Sequence, residues 1–221
     1  MKVVVKEMRT FAEGNFLLKA KPEGRLDYEA GQFVMIKIDE IAKPFSIASP
    51  VGSETIDFLI SVHPDGEITP RLAKLKRGDG FEIEGPYGAF TVKDTNAKEI
   101  IFIAAGTGVS PFRAMVVDAL KRFSEKKISL IFGFRYDYYF EKEWKDLEKE
   151  YKNLKICACC SRPAKSWKGL KGRVTDHLGE IAKEAKGKEV YVCGPPAMVG
   201  STKEVLRKIG FKDKQVHTEK W

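Results

Sequence analysis

The amino-acid sequence predicts two domains of different class, an all-β barrel or sandwich followed by an α/β domain. Up to about residue 95, short β-like runs of four to nine residues alternate with turns rich in Gly, Pro and Asp. From about residue 98, apolar strand-like runs alternate with helical segments, as in a parallel sheet covered by helices. The segment KDTNAKE, residues 93–99, separates the two patterns. We therefore predict domains at residues 1–95 and 96–221.

The first half contains seven strand-like runs and one helix-like segment. The runs are KVVVKEMRT, NFLLKAKP, QFVMIKID, KPFSIAS, IDFLISVH, DGFEIEG and FTVKD. The helical segment is ITPRLAKLKRGD, in which Thr69 can act as N-cap and Pro70 suits the first turn. Its leucines, Leu72 and Leu75, would face a core.

In the second half, four apolar runs predict strands and four segments between them predict helices. The strands are KEIIFIAA, ISLIFGFR, LKICACC and EVYVCG. The helices are SPFRAMVVDALKRFS, EKEWKDLEKEY, VTDHLGEIAKEA and PAMVGSTKEVLRKIG. Ligands of parallel sheets bind at the carboxyl ends of the strands. Here those ends carry AAGTGVSP, GFRYD, CCSRP and CGPPAM.

Composition excludes several classes of protein. The sequence has no run of about 18 apolar residues that could span a membrane, and its N-terminus is typical of a strand and not of a signal peptide. We therefore expect a cytoplasmic protein. The net charge of +8 comes from scattered lysines matched by glutamates, without a basic arm, so nucleic-acid binding is not expected. The basic excess suits an acidic partner or an anionic cofactor, and the many Lys and Glu residues indicate a thermophile.

Three of the four cysteines, Cys157, Cys159 and Cys160, cluster at the end of the apolar run LKICACC. A metal site would need a second group of Cys or His at ligand spacing, and the sequence offers none. We therefore predict small buried strand residues and no bound metal.

The turn GTGVSP, residues 106–111, allows two interpretations. Gly106 and Gly108 permit backbone angles and close approaches that side chains block, Ser110 can cap a helix, and Pro111 suits its first position. A helix start of this kind favours a bound phosphate. Pro111 replaces the third glycine of the G-x-G-x-x-G pattern, however, so the residues alone are equally consistent with a bare strand-to-helix turn.

Four motifs in a fixed order resemble those of the ferredoxin–NADP⁺ reductase family of flavoproteins. They are KPFS (43–46), GEIT (66–69), GTGVSP (106–111) and CGPPAM (193–198). The resemblance covers essentially the whole chain. It implies an N-terminal antiparallel Greek-key β-barrel that binds flavin and a C-terminal Rossmann-like α/β domain with a parallel sheet that binds NAD(P). It also favours the phosphate-binding interpretation of GTGVSP.

The family usually carries Arg-x-Tyr-Ser where this chain has Lys43, Pro44, Phe45 and Ser46. The resemblance implies that Lys43 neutralises a flavin phosphate, Phe45 packs on the isoalloxazine and Ser46 hydrogen-bonds near flavin N5. Two departures matter. Lysine provides a point charge in place of the forked guanidinium, and phenylalanine lacks the hydroxyl that tyrosine could offer the ribityl chain.

GEIT resembles the family's second flavin motif, Gly-x-x-Ser/Thr, whose helix start faces the pyrophosphate. The preceding residues resemble the strand that holds the ribose and adenine side. The candidate flavin contacts implied here are Ser61, Val62, His63, Gly66, Ile68 and Thr69.

The resemblance also implies a nucleotide site in the second half. Cys193 would lie beside the nicotinamide, and Ser161 and Arg162, with Lys165 nearby, favour NADPH over NADH by analogy with the 2′-phosphate contacts of NADP-preferring members. The candidate nucleotide contacts are Gly106, Thr107, Gly108, Ser161, Arg162, Cys193, Gly194 and Pro195.

The chain ends in HTEKW, and family members often end in Glu-x-aromatic. By resemblance, Trp221 covers the isoalloxazine or folds onto the FAD adenine, and Glu219 assists proton handling. A disordered tail is the alternative, because termini fray unless they are docked. The candidate catalytic residues are then Ser46, Cys193 and Glu219.

Together these features imply a flavin-dependent NAD(P)H oxidoreductase that uses FAD in preference to FMN. Electrons would pass to an acidic carrier such as ferredoxin or flavodoxin, or to a partner oxidoreductase subunit. The alternative is a non-catalytic flavoprotein-like subunit that serves assembly or redox sensing.

Overall fold

The computed structural model describes residues 1–220, which form two compact units. The first unit comprises residues 1–92 together with 110–118, and the second comprises residues 93–109 together with the chain from residue 119 onward.

The first unit is an antiparallel sheet of six strands in the order β4-β3-β6-β1-β2-β5. Because β6 lies between β3 and β1, the chain does not form a simple meander, and the predicted antiparallel β-domain is confirmed. The elements are β1 (Lys2–Thr10), β2 (Phe16–Pro22), β3 (Phe33–Ile38), β4 (Ile41–Ser46), β5 (Ile56–Ile60), the short helix α1 (Thr69–Leu72) and β6 (Gly80–Tyr87).

Alternate residues of these strands form the core of the first unit. Val3 and Val5 in β1, and Val34 and Ile36 in β3, are fully buried, as the period-two pattern predicts for a half-buried strand. Each such side chain contributes about 1.5–3 kcal/mol of burial free energy.

A buried ion pair connects residues 110–118 to the sheet of the first unit. Arg113 lies in helix α2 (Ser110–Arg122), and its Nη1 is 2.6 Å from Oδ2 of Asp57 in β5. The two side chains are only 12% and 5% exposed. Thr55 donates a further hydrogen bond to Asp57 Oδ1 at 2.8 Å, and the Asp57 backbone N–H donates to the Ser49 hydroxyl at 3.2 Å. The carboxylate is therefore compensated by both charge and hydrogen bonds, as burial requires.

The second unit is a parallel sheet of six strands in the order β10-β9-β8-β7-β11-β12. The predicted α/β domain is thereby confirmed. Its remaining elements are β7 (Glu99–Ala105), β8 (Lys127–Phe134), α3 (Glu141–Glu150), β9 (Leu154–Cys160), β10 (Leu170–Lys171), α4 (Val174–Ala182), β11 (Lys188–Gly194), α5 (Pro196–Ile209) and β12 (Val216–Lys220).

One face of the parallel sheet packs on α4 and α5. Ile101 in β7 and Val190 in β11 are fully buried in a cluster that also contains Leu178 of α4 and Leu206 of α5. The central strands β7 and β11 read as almost continuous apolar runs, as expected for strands that are covered on both faces.

Three local predictions were wrong. FTVKD does not form a strand, because residues 88–97 lack regular structure and the Lys93 N–H donates to the Tyr191 hydroxyl at 2.9 Å in place of a neighbouring strand. The predicted barrel helix is a single turn, α1, whose N-cap position is Ile68, while the Thr69 hydroxyl bonds the backbone of His63. Ser110 does not cap α2 but is its first residue, after a 3-10 turn at Gly106–Val109.

The prediction of buried strand cysteines is confirmed, since Cys157, Cys159 and Cys160 are all buried in β9. Burial raises the pKa of the Cys159 thiol to about 12 and also raises that of Cys157, so both thiols are protonated at neutral pH. No group of three or more His, Cys, Asp or Glu residues within 1–220 is arranged to hold a metal ion. No helix formed by the described residues combines the length and apolar character needed to cross a membrane.

Thr202 provides a test of the core of the second unit. It lies in α5, is fully buried, and its hydroxyl has no hydrogen-bond partner among the described residues. Thr202→Val keeps the shape of the side chain and removes the unpaired polar group. We expect the free energy of unfolding, measured by urea denaturation, to rise by about 1 kcal/mol.

Thr69→Val is the matched control. The Thr69 hydroxyl accepts the His63 N–H at 3.1 Å, so we expect this substitution to lower the free energy of unfolding by about 1 kcal/mol. A loss of stability in Thr202→Val would contradict the assignment of an unpaired hydroxyl.

Candidate functional site

The KPFS motif occupies the end of β4, which is an edge strand of the first sheet. Lys43 lies opposite Ile36, Phe45 opposite Val34 and Ser46 opposite Phe33 of β3. An edge strand accommodates Pro44, because proline has no N–H to donate to a further strand. Along the motif, Lys43 is exposed, Pro44 and Phe45 are half-buried, and Ser46 is buried. The motif therefore presents a cation, a partly covered ring and a recessed hydroxyl.

The segment that follows Ser46 is fixed by hydrogen bonds on both sides. The Ile47 N–H donates to the Gln32 carbonyl at 3.0 Å, and the Ala48 N–H donates to the Asp57 carbonyl at 2.8 Å. The Tyr28 hydroxyl lies 3.0 and 2.9 Å from the carbonyl oxygens of residues 49 and 50. Burial raises the pKa of Tyr28, which keeps this hydroxyl a donor. The backbone that follows Ser46 is thus held in place by hydrogen bonds within the first unit.

The GEIT motif closes a tight loop after β5. The Thr69 hydroxyl accepts the His63 N–H at 3.1 Å, and the Gly66 N–H donates to the His63 carbonyl at 2.8 Å. A Cβ at Gly66 would stand only 3.0 Å from that carbonyl and 3.1 Å from the Thr69 hydroxyl, so the tight packing favours glycine. Ile68 is buried in the core. Of the remaining candidates, Ser61 and Val62 are half-buried and His63 is exposed.

One ion pair joins the two motifs of the first unit. Lys43 Nζ lies 2.7 Å from Glu67 Oε2, and hydrogen bonding to Lys43 lowers the pKa of the Glu67 carboxyl. The sequence prediction did not include Glu67. The only feature of the sequence that could have indicated a role for Glu67 is that a carboxylate occurs in a motif expected to face phosphate.

In the second unit, the turn after β7 packs directly on the end of β11. A Cβ at Gly108 would stand 2.5 Å from the Cys193 carbonyl oxygen and 2.6 Å from the Gly194 Cα. Gly106 has a φ of +57°, and none of the described atoms lies within 4 Å of a Cβ built on it. Gly108 is therefore explained by close approach, and Gly106 by its backbone conformation. Thr107, between them, is half-buried.

GTGVSP and CGPPAM lie on either side of the point in the parallel sheet where the order of strand addition reverses. From β7 the chain adds β8, β9 and β10 on one side, and β11 and β12 lie on the other. GTGVSP follows β7 and CGPPAM follows β11, so both lie at the carboxyl edge of adjacent strands. Ligands of open α/β sheets bind at such switch points.

The strand register brings further candidates to this edge. Cys193 pairs with Ala104 of β7 and with Glu219 of β12. Cys193 is fully buried, and Glu219 is half-buried. Gly194 ends β11 and Pro195 is the N-cap position of α5. Trp221 lies outside the described residues.

The SRP loop lies at the ends of β8 and β9. The Ser161 N–H donates to the Phe134 carbonyl at 2.9 Å, and Arg162 Nη1 donates to the Tyr136 hydroxyl at 2.9 Å. Trp167 anchors the loop, because its indole N–H donates to the Leu170 carbonyl at 2.9 Å and its ring meets Phe134 edge-on. Arg162 and Tyr136 remain exposed. The sequence prediction missed Tyr136 and Trp167, which carry only the general signal of aromatics near a strand end.

The Ser110 hydroxyl, at the start of α2, is a buried polar group that could bond an anion. It is 4% exposed, and its hydroxyl has no hydrogen-bond partner among the described residues. Buried polar groups rarely lack a partner in native proteins, where those that find none within the chain commonly bond a ligand or an ordered water. The start of a helix of this length also offers unpaired backbone N–H groups.

Two family models together match most of the chain. The model of the oxidoreductase FAD-binding domain matches residues 3–92, and that of the oxidoreductase NAD-binding domain matches residues 102–204.

Similar proteins include a ferredoxin–NADP reductase and a phenol hydroxylase protein. Ferredoxin–NADP reductase B of Sorangium cellulosum is 30% identical over 208 residues, covering 88% of this chain and 85% of that protein. Phenol hydroxylase P5 protein of Acinetobacter pittii is 28% identical over 99% of this chain, which spans 64% of the length of that protein. The crystal structure of a ferredoxin NADP⁺ reductase from Neisseria gonorrhoeae with bound FAD and NADP shares the fold, with a TM-score of 0.88 and 18% identity over 100% of this chain and 98% of that chain.

The close approach at Gly108 predicts that any side chain there is destabilising. Gly108→Ala places a methyl group against backbone atoms of Cys193 and Gly194 that cannot move independently. We expect the free energy of unfolding to fall by about 1–3 kcal/mol, as in other overpacked sites, measured by denaturant titration.

Gly200→Ala serves as the control for this substitution. Gly200 lies within α5, and a Cβ there meets no described atom within 4 Å. Alanine is the better helix former, so we expect a gain of about 0.5–1 kcal/mol. Equal stability of Gly108→Ala and the wild type would refute the packing argument.

Proposed function

Because the chain belongs to the family of FAD- and NAD-binding oxidoreductases that includes the ferredoxin–NADP⁺ reductases, we propose that it is a reductase that transfers electrons from NAD(P)H through a bound flavin to a separate acceptor. When bound, the nicotinamide supplies a hydride and the flavin accepts it. The observation that carries the proposal is the position of GTGVSP and CGPPAM on either side of the switch point between β7 and β11. The protein's contribution is binding, orientation and electrostatics.

The nucleotide phosphates would bind at the turn Gly106–Val109 and the start of α2. The free N–H groups and the positive end of a helix dipole favour an anion there. The Ser110 hydroxyl, which bonds no other described residue, can donate to such an anion. Cys193, Gly194 and Pro195 would line the nicotinamide side. Family membership, together with these features, supports the phosphate-binding interpretation of the turn.

Residues 1–95 would provide the flavin domain, and residues 96–221 the nucleotide domain. Lys43 would neutralise a flavin phosphate, Phe45 would pack on the ring system, and the loop closed by Thr69 would hold the pyrophosphate and adenosine side. The match to an FAD-binding domain supports FAD. The resemblance also assigns Trp221 to the flavin or its adenine.

We propose Ser46, Cys193 and Glu219 as the catalytic residues, which would surround the reacting atoms. The Ser46 hydroxyl can donate a hydrogen bond, and the backbone that follows it is held by hydrogen bonds to the carbonyls of Gln32 and Asp57. Glu219 has a carboxylate that can hold a proton. Cys193 would act by packing, because it is fully buried.

The electron acceptor would be an acidic carrier, such as ferredoxin or flavodoxin, or a partner subunit. The net charge of +8 favours association with an acidic protein. One relative is named a ferredoxin–NADP reductase and another the reductase component of a phenol 2-monooxygenase, and these names support a carrier protein or a partner subunit as the acceptor. On composition, we further propose a cytoplasmic protein from a thermophile.

The decisive experiment is anaerobic stopped-flow absorbance of the FAD-loaded protein after mixing with NADPH or NADH. We expect the absorption band of the oxidised flavin to disappear at a rate constant of about 1 per second or more, the range of typical enzyme turnover. Bound flavin that neither nucleotide reduces would remove the reductase assignment and favour the non-catalytic subunit.

Arg162 tests the choice of nucleotide. Its guanidinium is exposed beside Tyr136 and can pair with a 2′-phosphate. We expect Arg162→Ala to raise the dissociation constant for NADPH by about 10- to 100-fold, the loss typical of a hydrogen bond to a charged group. The constant for NADH should change little. Both can be obtained from the concentration dependence of flavin reduction.

Lys168→Ala is the control, because Lys168 is an exposed cation of the same loop outside the Ser-Arg pair. If Arg162→Ala weakened NADPH and NADH equally, Arg162 would not select the 2′-phosphate.

A further inference from the structure

Lys43, the cation assigned to the flavin phosphate, is already occupied by a carboxylate. Its Nζ lies 2.7 Å from Glu67 Oε2, and the two side chains are 49% and 63% exposed. Glu67 belongs to GEIT, the second motif assigned to flavin phosphates. A carboxylate of one motif is therefore paired with the lysine of the other, at the place where both motifs are expected to bind flavin phosphates.

Arg71, a second cation near Glu67, is also paired with a carboxylate. Arg71 Nη1 lies 2.5 Å from Asp39 Oδ2, whereas the ion-pair partner of Glu67 is Lys43. Its charge nevertheless contributes to lowering the pKa of Glu67, after the larger effect of Lys43. Glu67 is therefore ionised at neutral pH, and Lys43 is its direct partner.

We propose that Glu67 is a built-in competitor for Lys43, which it holds when flavin is absent and must release when a flavin phosphate binds. Glu67 thereby sets the affinity for phosphorylated flavins without contacting the isoalloxazine. The inference rests on the proposed role of Lys43 in flavin binding.

The competition follows from the chemistry of the three groups. A lysine ammonium is a point charge that can bond a carboxylate or a phosphate, and it lacks the fork with which arginine could hold both in fixed geometry. An exposed ion pair contributes little to stability, so Lys43 can change partners without unfolding the strand. Once released, the Glu67 carboxylate remains close to the incoming phosphate and repels it.

The test compares FAD with riboflavin, which has the same ring system and no phosphate. Dissociation constants are measured on flavin-free protein from the change in flavin fluorescence. We expect Glu67→Gln to lower the dissociation constant for FAD by about 3- to 10-fold, the range for removal of one exposed like charge and its competing pair. The constant for riboflavin should be unchanged.

Two further variants separate competition from a general charge effect. Glu54→Gln removes an exposed carboxylate of the same unit outside both motifs and should leave FAD binding unchanged. In a Lys43→Met background, Glu67→Gln should have a smaller effect on FAD binding than in the wild type, because there is no longer a cation to compete for.

The outcomes distinguish this inference from the proposed function. If FAD binds wild type and Glu67→Gln equally, or if Glu67→Gln acts equally with and without Lys43, the inference fails and the reductase assignment stands. Equal tightening by Glu54→Gln would also overturn it. If neither FAD nor riboflavin binds any variant, the proposed function fails and the inference falls with it.

Discussion

The turn after β7 rests on the backbone of Cys193 and Gly194 so closely that residue 108 has no room for a Cβ. This contact fixes where the second unit can present its loops. The ends of β7 and β11 are already adjacent through their parallel pairing, and the contact holds the turn Gly106–Val109 against this pair of strand ends. The parallel order of the strands then brings Cys193 level with Ala104 and Glu219. A glycine that in sequence suggests room for a ligand is thus first required by the protein's own backbone.

Most elements could be predicted from the sequence because their burial is reflected in the residue pattern. β7, β8, β9 and β11 are apolar runs, and the alternation in β1 and β3 matches their half-buried faces. β10 and β12 were missed because the first has two residues and the second, VHTEK, is a mainly polar edge strand. FTVKD has strand-like residues, but the Lys93 N–H bonds Tyr191, which is 98 positions away. Propensity cannot anticipate such a long-range partner.

For the candidate site too, local motifs could be predicted from the sequence, whereas contacts between distant residues could not. Motif order directed attention to the segments that carry Lys43, Gly108 and Cys193, because those segments lie at or directly after the ends of predicted strands. The partners of the charged groups could not be identified, since Glu67 is 24 positions from Lys43, and Tyr136 is 26 from Arg162. Ion pairs and hydrogen bonds between loops depend on where the strands place them. The electrostatics of each site therefore become visible only in the folded chain.

The Asp57–Arg113 pair has a consequence for how the chain could be divided. The first unit is discontinuous, because it regains residues 110–118 after the chain has already begun the second sheet. A fragment that ended near residue 95 would contain Asp57 but not Arg113. Removing one partner of a buried ion pair commonly costs about 3–5 kcal/mol, a large part of the stability of a small domain. We therefore expect a fragment that ends near residue 95 to be much less stable than the same unit with residues 110–118, although its motifs all precede residue 70.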